Sequence, residues 1–187
     1  VRFPYRLEKE VSFAAPHILH TKYVLTNLSD FKFDFMWAAH TMINLEDDVE
    51  LILPDGVKHV HGVSAVGSIG RYGDQAAWPQ FHTADGELRD LSKLRPKDTR
   101  AVEKYFVKGK MPEGWCALKY RKSNFSLALS FPVETVPYLA VLPNEGGWRD
   151  LHNIFLEPAT ASFDRLDVAR MHNEYSTVAP HSIYEWH

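Results

Sequence analysis

Hydrophobic and polar residues alternate along most of this chain with a period of two, the repeat of a half-buried strand. Tyr5, Leu7, Lys9, Val11 and Phe13 share one side of the first such segment. Ala14-Ala15-Pro16 interrupts it, and residues 17–26 alternate again, with Leu19, Thr21, Tyr23 and Leu25 on one face. Turn chemistry at Asn27-Leu28-Ser29-Asp30 precedes a segment in which Phe31, Phe33 and Phe35 oppose Lys32 and Asp34. Further strands are predicted over 49–53, 57–63, 115–120, 124–131, 138–142, 153–156 and 182–186. Two pieces read as short helices: 100–107, after the break at Pro96, and 163–171, begun by Asp164. Residues 62–73 carry four glycines and read as a loop. Many short strands with little helix predict an all-β sandwich or barrel.

Composition narrows the class. The chain has 187 residues, 45% hydrophobic and 24% charged, the profile of one globular domain over 1–187. A net charge of −3 gives no basic footprint for nucleic acid or a membrane surface. No run reaches the length of a membrane span, and no signal-peptide pattern is visible. Cys116 is the single cysteine, so an intrachain disulfide is excluded and a reducing, cytoplasmic setting is expected. The chain opens at Val1 directly into strand-like sequence, which leads us to expect further residues upstream.

Four features carry candidate chemistry. His40 sits beside two alanines and near Trp37, just past a predicted strand, and an imidazole there suits proton transfer near neutrality. Glu157 follows three apolar residues, so it is either a buried carboxylate able to act as a base or a solvent-facing residue where Pro158 ends the strand. The loop Asn144-Glu145-Gly146-Gly147-Trp148 either lines a cleft or simply joins two strands. His59 and His61 share a strand face at a metal-compatible spacing, but no third ligand is evident, so no metal is expected. No phosphate-binding glycine loop, nucleophile elbow or zinc-helix motif occurs, and no cofactor is expected.

Together these segments resemble the galactose mutarotase-like superfamily, in its aldose 1-epimerase-related branch. The residues that carry the likeness are Tyr23-Val24-Leu25-Thr26-Asn27-Leu28-Ser29-Asp30, Phe35-Met36-Trp37-Ala38-Ala39-His40-Thr41-Met42-Ile43-Asn44-Leu45, Pro137-Tyr138-Leu139-Ala140-Val141-Leu142-Pro143-Asn144 and Leu156-Glu157-Pro158-Ala159-Thr160. The resemblance implies an antiparallel β-supersandwich with an open concave face holding a sugar, here lacking its N-terminal segment and so leaving apolar sheet surface uncovered. It implies Glu157 as base and His40 as acid in the interconversion of sugar anomers, with a gap between them for the sugar. The same fold used as a non-catalytic carbohydrate-binding module is the alternative. Trp37, Asn44, Asn144, Glu145 and Trp148 are the implied sugar contacts. The family's substrate-binding aspartate has no acidic counterpart in 118–122, which implies Lys119 or Tyr120 as a ligand contact instead, or a different substrate. The implied partner is a small-molecule sugar, either a free aldose or, if Arg71, Arg149 or Lys119 line the cleft, a sugar phosphate. An oligomer is compatible with this reading.

Overall fold

The computed structural model describes residues 3–64 and 67–187. Val1, at which the chain opens, and residues 65 and 66 of the glycine-rich loop lie outside the described residues. The chain begins with β1 (Tyr5–Ala15), β2 (Ile18–Asn27), β3 (Phe33–Phe35), β4 (Thr41–Asn44), β5 (Val49–Ile52) and β6 (His59–Gly62). It continues through β7 (Gln75–Ala77), β8 (Gln80–His82), β9 (Leu88–Asp90), β10 (Ala101–Val102) and β11 (Tyr105–Val107). Longer strands follow: β12 (Trp115–Tyr120), β13 (Phe125–Ser130), β14 (Tyr138–Glu145) and β15 (His152–Ala159). One helix, α1 (Leu166–His172), precedes β16 (Ser176–Val178) and β17 (Ile183–Trp186).

The central sheet runs β4-β15-β14-β11-β6-β7, with β10 also paired to β14, and its strand pairs are antiparallel. A second sheet, β13-β12-β5, packs against one of its faces. Leu139, Val141, Ile154, Leu156, Tyr105 and Val60 from the first sheet share one core with Val49, Leu51, Cys116 and Leu118 from the second. The opposite face of the central sheet carries a smaller apolar group: Val63, Phe106, Tyr138, Ala140, Ala159 and Phe163. Val168 of the helix α1 and Ala38 pack against that group.

Two sequence expectations are corrected here. Residues 100–107 form strands, not a helix; the only helical backbone nearby is a 3-10 turn at Lys97–Thr99. Tyr105, Phe106 and Val107 are all buried because β11 is covered on both faces, so its apolar residues run consecutively instead of alternating. Asp164 does not begin the helix at 163–171 either. The N-cap is Arg165, with no side-chain cap, and Asp164 is engaged elsewhere.

The β1–β2 hairpin leaves apolar side chains in solvent. Leu25 joins the core, but farther along the same face Val11 is 52% exposed, Leu19 61% and Phe13 77%.

Gly146 closes the turn after β14 in left-handed backbone (φ 88°), and a Cβ there would lie 2.0 Å from the Lys97 carbonyl oxygen. Gly86 has the same φ (87°) with open space around it. Gly86→Ala is therefore expected to cost the backbone term alone, about 1 kcal/mol. Gly146→Ala adds a clash with fixed backbone and should cost at least about twice as much; urea unfolding of the two variants compares them.

Candidate functional site

β15 is flanked on both sides, by β4 and β14, and its residues alternate between the two faces of the sheet. Ile154 and Leu156 enter the main core, which sends Glu157 to the opposite face, at 1% exposure. Pro158 does not end the strand: it pairs with Leu139, and its carbonyl accepts the Ala39 amide at 2.9 Å. Of the two orientations open from sequence, the inward one is realised.

His40 reaches the same place through register. Thr41 pairs with Leu156 and Ala38 with Ala159, so His40, between them, stands opposite Glu157. Thr160 anchors this segment: its amide donates to the Trp37 carbonyl at 2.8 Å, and its hydroxyl accepts the Trp37 amide at 2.9 Å. The His40 ring meets Phe155 edge-on at 5.1 Å and is 62% exposed.

His40 Nε2 lies 3.6 Å from Glu157 Oε1, too far for a hydrogen bond. Oε1 is buried and has no hydrogen-bond partner. Oε2, by contrast, is bound by Lys104 Nζ at 2.9 Å, and the same ammonium binds Asp164 Oδ1 at 2.9 Å. Burial disfavours the charge on Lys104, but hydrogen bonds and attraction from Asp164 and Glu157 outweigh it and raise its pKa above the ordinary lysine value. The result is an acid–lysine–acid chain ending in a carboxylate oxygen that faces an imidazole. No ring-wide gap separates His40 from Glu157.

Lys104 and Asp164 were missed from sequence. Lys104 stands two residues before Phe106 and shares its inward face, a pattern visible only once 105–107 is read as a strand.

The other candidates scatter. Asn44 is exposed on the His40 side of β4, opposite Asn153, whose buried Oδ1 has no partner. Asn144 continues this row but is closed by the Trp148 backbone, donating to its carbonyl and accepting its amide, both at 2.9 Å. Trp148 is exposed on the loop, beneath the Arg149 guanidinium. Three candidates are not on this face. Trp37 turns to the other side and packs with Tyr23 and Trp186 at the main core. Glu145 also faces away: it is buried and held by the Arg95 backbone amide at 2.6 Å and by its guanidinium. Lys119 alternates with the buried Cys116, Leu118 and Tyr120, so it points outward from the second sheet.

His59 is exposed while His61 is buried, and among the described residues no group of three His, Cys, Asp or Glu is placed to hold a metal. Also among the described residues, no helix is long and apolar enough to cross a membrane. His61 stacks parallel on Phe106 at 5.8 Å and packs on Phe163 at 4.3 Å. Burial, aided by the His172 and Lys108 charges, lowers its pKa to about 4.

No family model matches the sequence, and no curated protein does. Solved structures do match in fold. A candidate aldose 1-epimerase from Escherichia coli K12 superposes with a TM-score of 0.72 at 12% identity, over 99% of this chain and 59% of its own. A galactose mutarotase related enzyme from Lactobacillus acidophilus gives 0.63 at 16% identity, over 99% and 63%. A TPR-domain containing protein from Parabacteroides distasonis gives 0.64 at 13%, over 98% and 30%. The fold is that of the galactose mutarotase-like β-sandwiches, and the chain spans about half to three-fifths of the first three solved chains it matches.

Two expectations follow from these contacts. Lys104→Met strands a buried carboxylate and should cost about 3 kcal/mol or more in urea unfolding, much of which the double variant Lys104→Met/Glu157→Gln recovers. For His61, the unfolded chain takes up a proton near pH 6.5 and the folded chain only near 4, so stability is lost as pH falls through that window, by up to ~3 kcal/mol. Unfolding curves at pH 7, 5 and 4 should show His61→Gln losing less stability than the parent.

Proposed function

We propose that this chain carries the acid–base centre of an aldose 1-epimerase-type isomerase acting on a free sugar. The observation that carries the reading is the asymmetry of Glu157: one oxygen held by Lys104, the other buried, unpartnered and facing His40. The two oxygens that must lose and gain a proton in anomer exchange, the anomeric hydroxyl and the ring oxygen, are bonded to the same carbon. An acid and a base that converge on one point suit this chemistry better than a pair separated by a ring. His40 is largely exposed, and in this reading its ring turns aside to admit them.

In the forward direction Glu157 Oε1 takes the proton of the anomeric hydroxyl, and that O–H electron pair becomes the second bond of a C1 carbonyl. The C1–ring-oxygen bond breaks, and its electron pair takes a proton from the His40 imidazolium. The open-chain aldehyde rotates about C1–C2. The hydroxyl, giving its proton back to His40, attacks the other face of C1, and Glu157 returns its proton to the new anomeric oxygen. Lys104 fixes the base's orientation, and Asp164 shares the ammonium so that its charge is not spent on Glu157 alone. Phe155 and Met42, beside His40 on the same face, offer apolar surface to the C–H face of a pyranose.

The fold also occurs in a TPR-domain containing protein, so it serves more than one role, and a carbohydrate-binding module without turnover is the second reading. Polarimetry of freshly dissolved α-glucose and α-galactose separates the two. The isomerase reading expects acceleration by the protein and a loss of about 10²-fold or more in each of His40→Ala and Glu157→Gln. Sugar binding seen by NMR with no change in the anomerisation rate rejects it in favour of the module.

A further inference from the structure

Across the sheet, the row that carries Glu157 runs into the buried Ala140 and Phe106; along the strands, the same face stays open. Two residues along, register places Met42 beside Phe155 and Phe155 beside Leu142. Met42 is 57% exposed, and Phe155 and Leu142 are half-buried, so this second row is an apolar shelf that a ligand can reach. The edge-on contact of the His40 ring with Phe155 joins the shelf directly to the acid–base pair.

Two residues farther, Asn44 pairs with Asn153 and Asn153 with Asn144. The three amides are in different states. Asn144 is closed by the Trp148 backbone through both its amide atoms. Asn153 is 3% exposed, and its buried Oδ1 has no partner, an unmade hydrogen bond of a kind that interiors avoid. Asn44 is exposed, yet its backbone is pinned: its carbonyl accepts the Tyr120 hydroxyl at 2.7 Å, and the Leu45 amide donates to the His152 carbonyl at 3.0 Å. Paired residues of neighbouring strands hold their Cβ atoms ~5 Å apart, within reach of an amide–amide bond. An asparagine amide has two N–H donors and one carbonyl acceptor. Asn44 can therefore give one N–H to Asn153 Oδ1 and keep the other N–H and its own oxygen for a ligand.

The spacing of the rows sets the length of that ligand. Four residues of strand separate Asn153 from Glu157, about 14 Å, and side chains stand roughly perpendicular to a sheet, so their tips are a similar distance apart. A hydrogen bond at each end takes up about 6 Å of it in total. What remains is the width of a single pyranose with its hydroxyls, lying over the shelf.

We infer that Asn44 and Asn153 form the far end of the sugar site. The Asn44 amide binds the C4 hydroxyl, on the ring carbon opposite C1, and Asn153 is the positioning residue that turns that amide toward the ring. The assignment rests on the acid–base reading of His40 and Glu157, which places C1, and the experiment separates the two. NMR follows the anomerisation of D-glucose and 4-deoxy-D-glucose by the same protein. Loss of the hydroxyl is expected to lower kcat/KM about tenfold or more. Asn44→Ala should cost glucose about tenfold and the deoxy sugar far less. Asn153→Ala should show the same selectivity in part, raising KM for glucose with kcat kept. A loosened fold would lower both sugars alike. Methyl α-D-glucoside and its 4-deoxy analogue cannot anomerise, so NMR titration reads their affinities without turnover. Tighter binding of the glucoside, diminished by each Asn variant, upholds the far end even if no sugar is turned over. A protein that favours the C4 hydroxyl in neither turnover nor binding, or whose Asn variants keep the parent's preference, overturns it even if glucose is turned over.

Discussion

A carboxylate on an interior strand, walled from water on every side, has to be compensated, and in this protein Lys104 is what compensates Glu157. The ammonium is itself three-quarters or more removed from solvent, at 15% exposure, and is steadied by a second acid, Asp164. A lysine shared between two carboxylates gives neither a complete partner. Glu157 keeps a fixed orientation through Oε2 and an unspent acceptor in Oε1. A purely structural ion pair would satisfy both oxygens, as Arg95 does for Glu145 on the other side of the same sheet, binding one oxygen through its backbone amide and the other through its guanidinium. The contrast between these two buried glutamates, a few residues apart along paired strands, is the strongest physical reason to regard Glu157 as chemical and Glu145 as architectural.

The sheet sets distances on the face that carries Glu157. Because side-chain direction alternates along a strand and neighbouring strands are held at nearly constant spacing, residues in register form straight rows. His40 and Glu157 are brought into contact by the β4–β15 register although they lie far apart in sequence. The same constraint divides the sheet. Leu139, Val141, Ile154 and Leu156 seal the core on one side, leaving the other side thin in apolar packing and free to carry charge and histidine.

Much of this was legible in the sequence. Alternation located most strands, while the glutamate after three apolar residues left an inward and a solvent-facing orientation both open. Face assignments within a strand were also there to be read. Trp37 and His40 are three apart, so an extended chain sends them to opposite sides, as the structure does. Asn144 and Glu145 are adjacent and cannot both face the same cleft; Lys119 alternates with buried neighbours. What the sequence withheld was pairing. Nothing local says that β11 lies between β14 and β6, and a strand buried on both faces reads as an unpatterned apolar run. That ambiguity turned 100–107 into an apparent helix and hid Lys104, whose role depends on Glu157 and Asp164, both more than fifty residues away.

The short connection after β15 ties together the elements around Glu157. Thr160 fastens it to Trp37, and through that segment to His40; Asp164 fastens it to Lys104, and through Lys104 to Glu157. Between them Phe163 is held in left-handed backbone, a conformation worth about 1–2 kcal/mol against it. The stacking of its ring with His61 and His172 offsets that strain. Phe163 is therefore a residue near the edge of its allowed backbone, one peptide bond from the carboxylate that shares Lys104 with Glu157. The Phe163 backbone and the orientation of Glu157 are thus joined through Asp164 and one shared ammonium, without any element of the sheet itself.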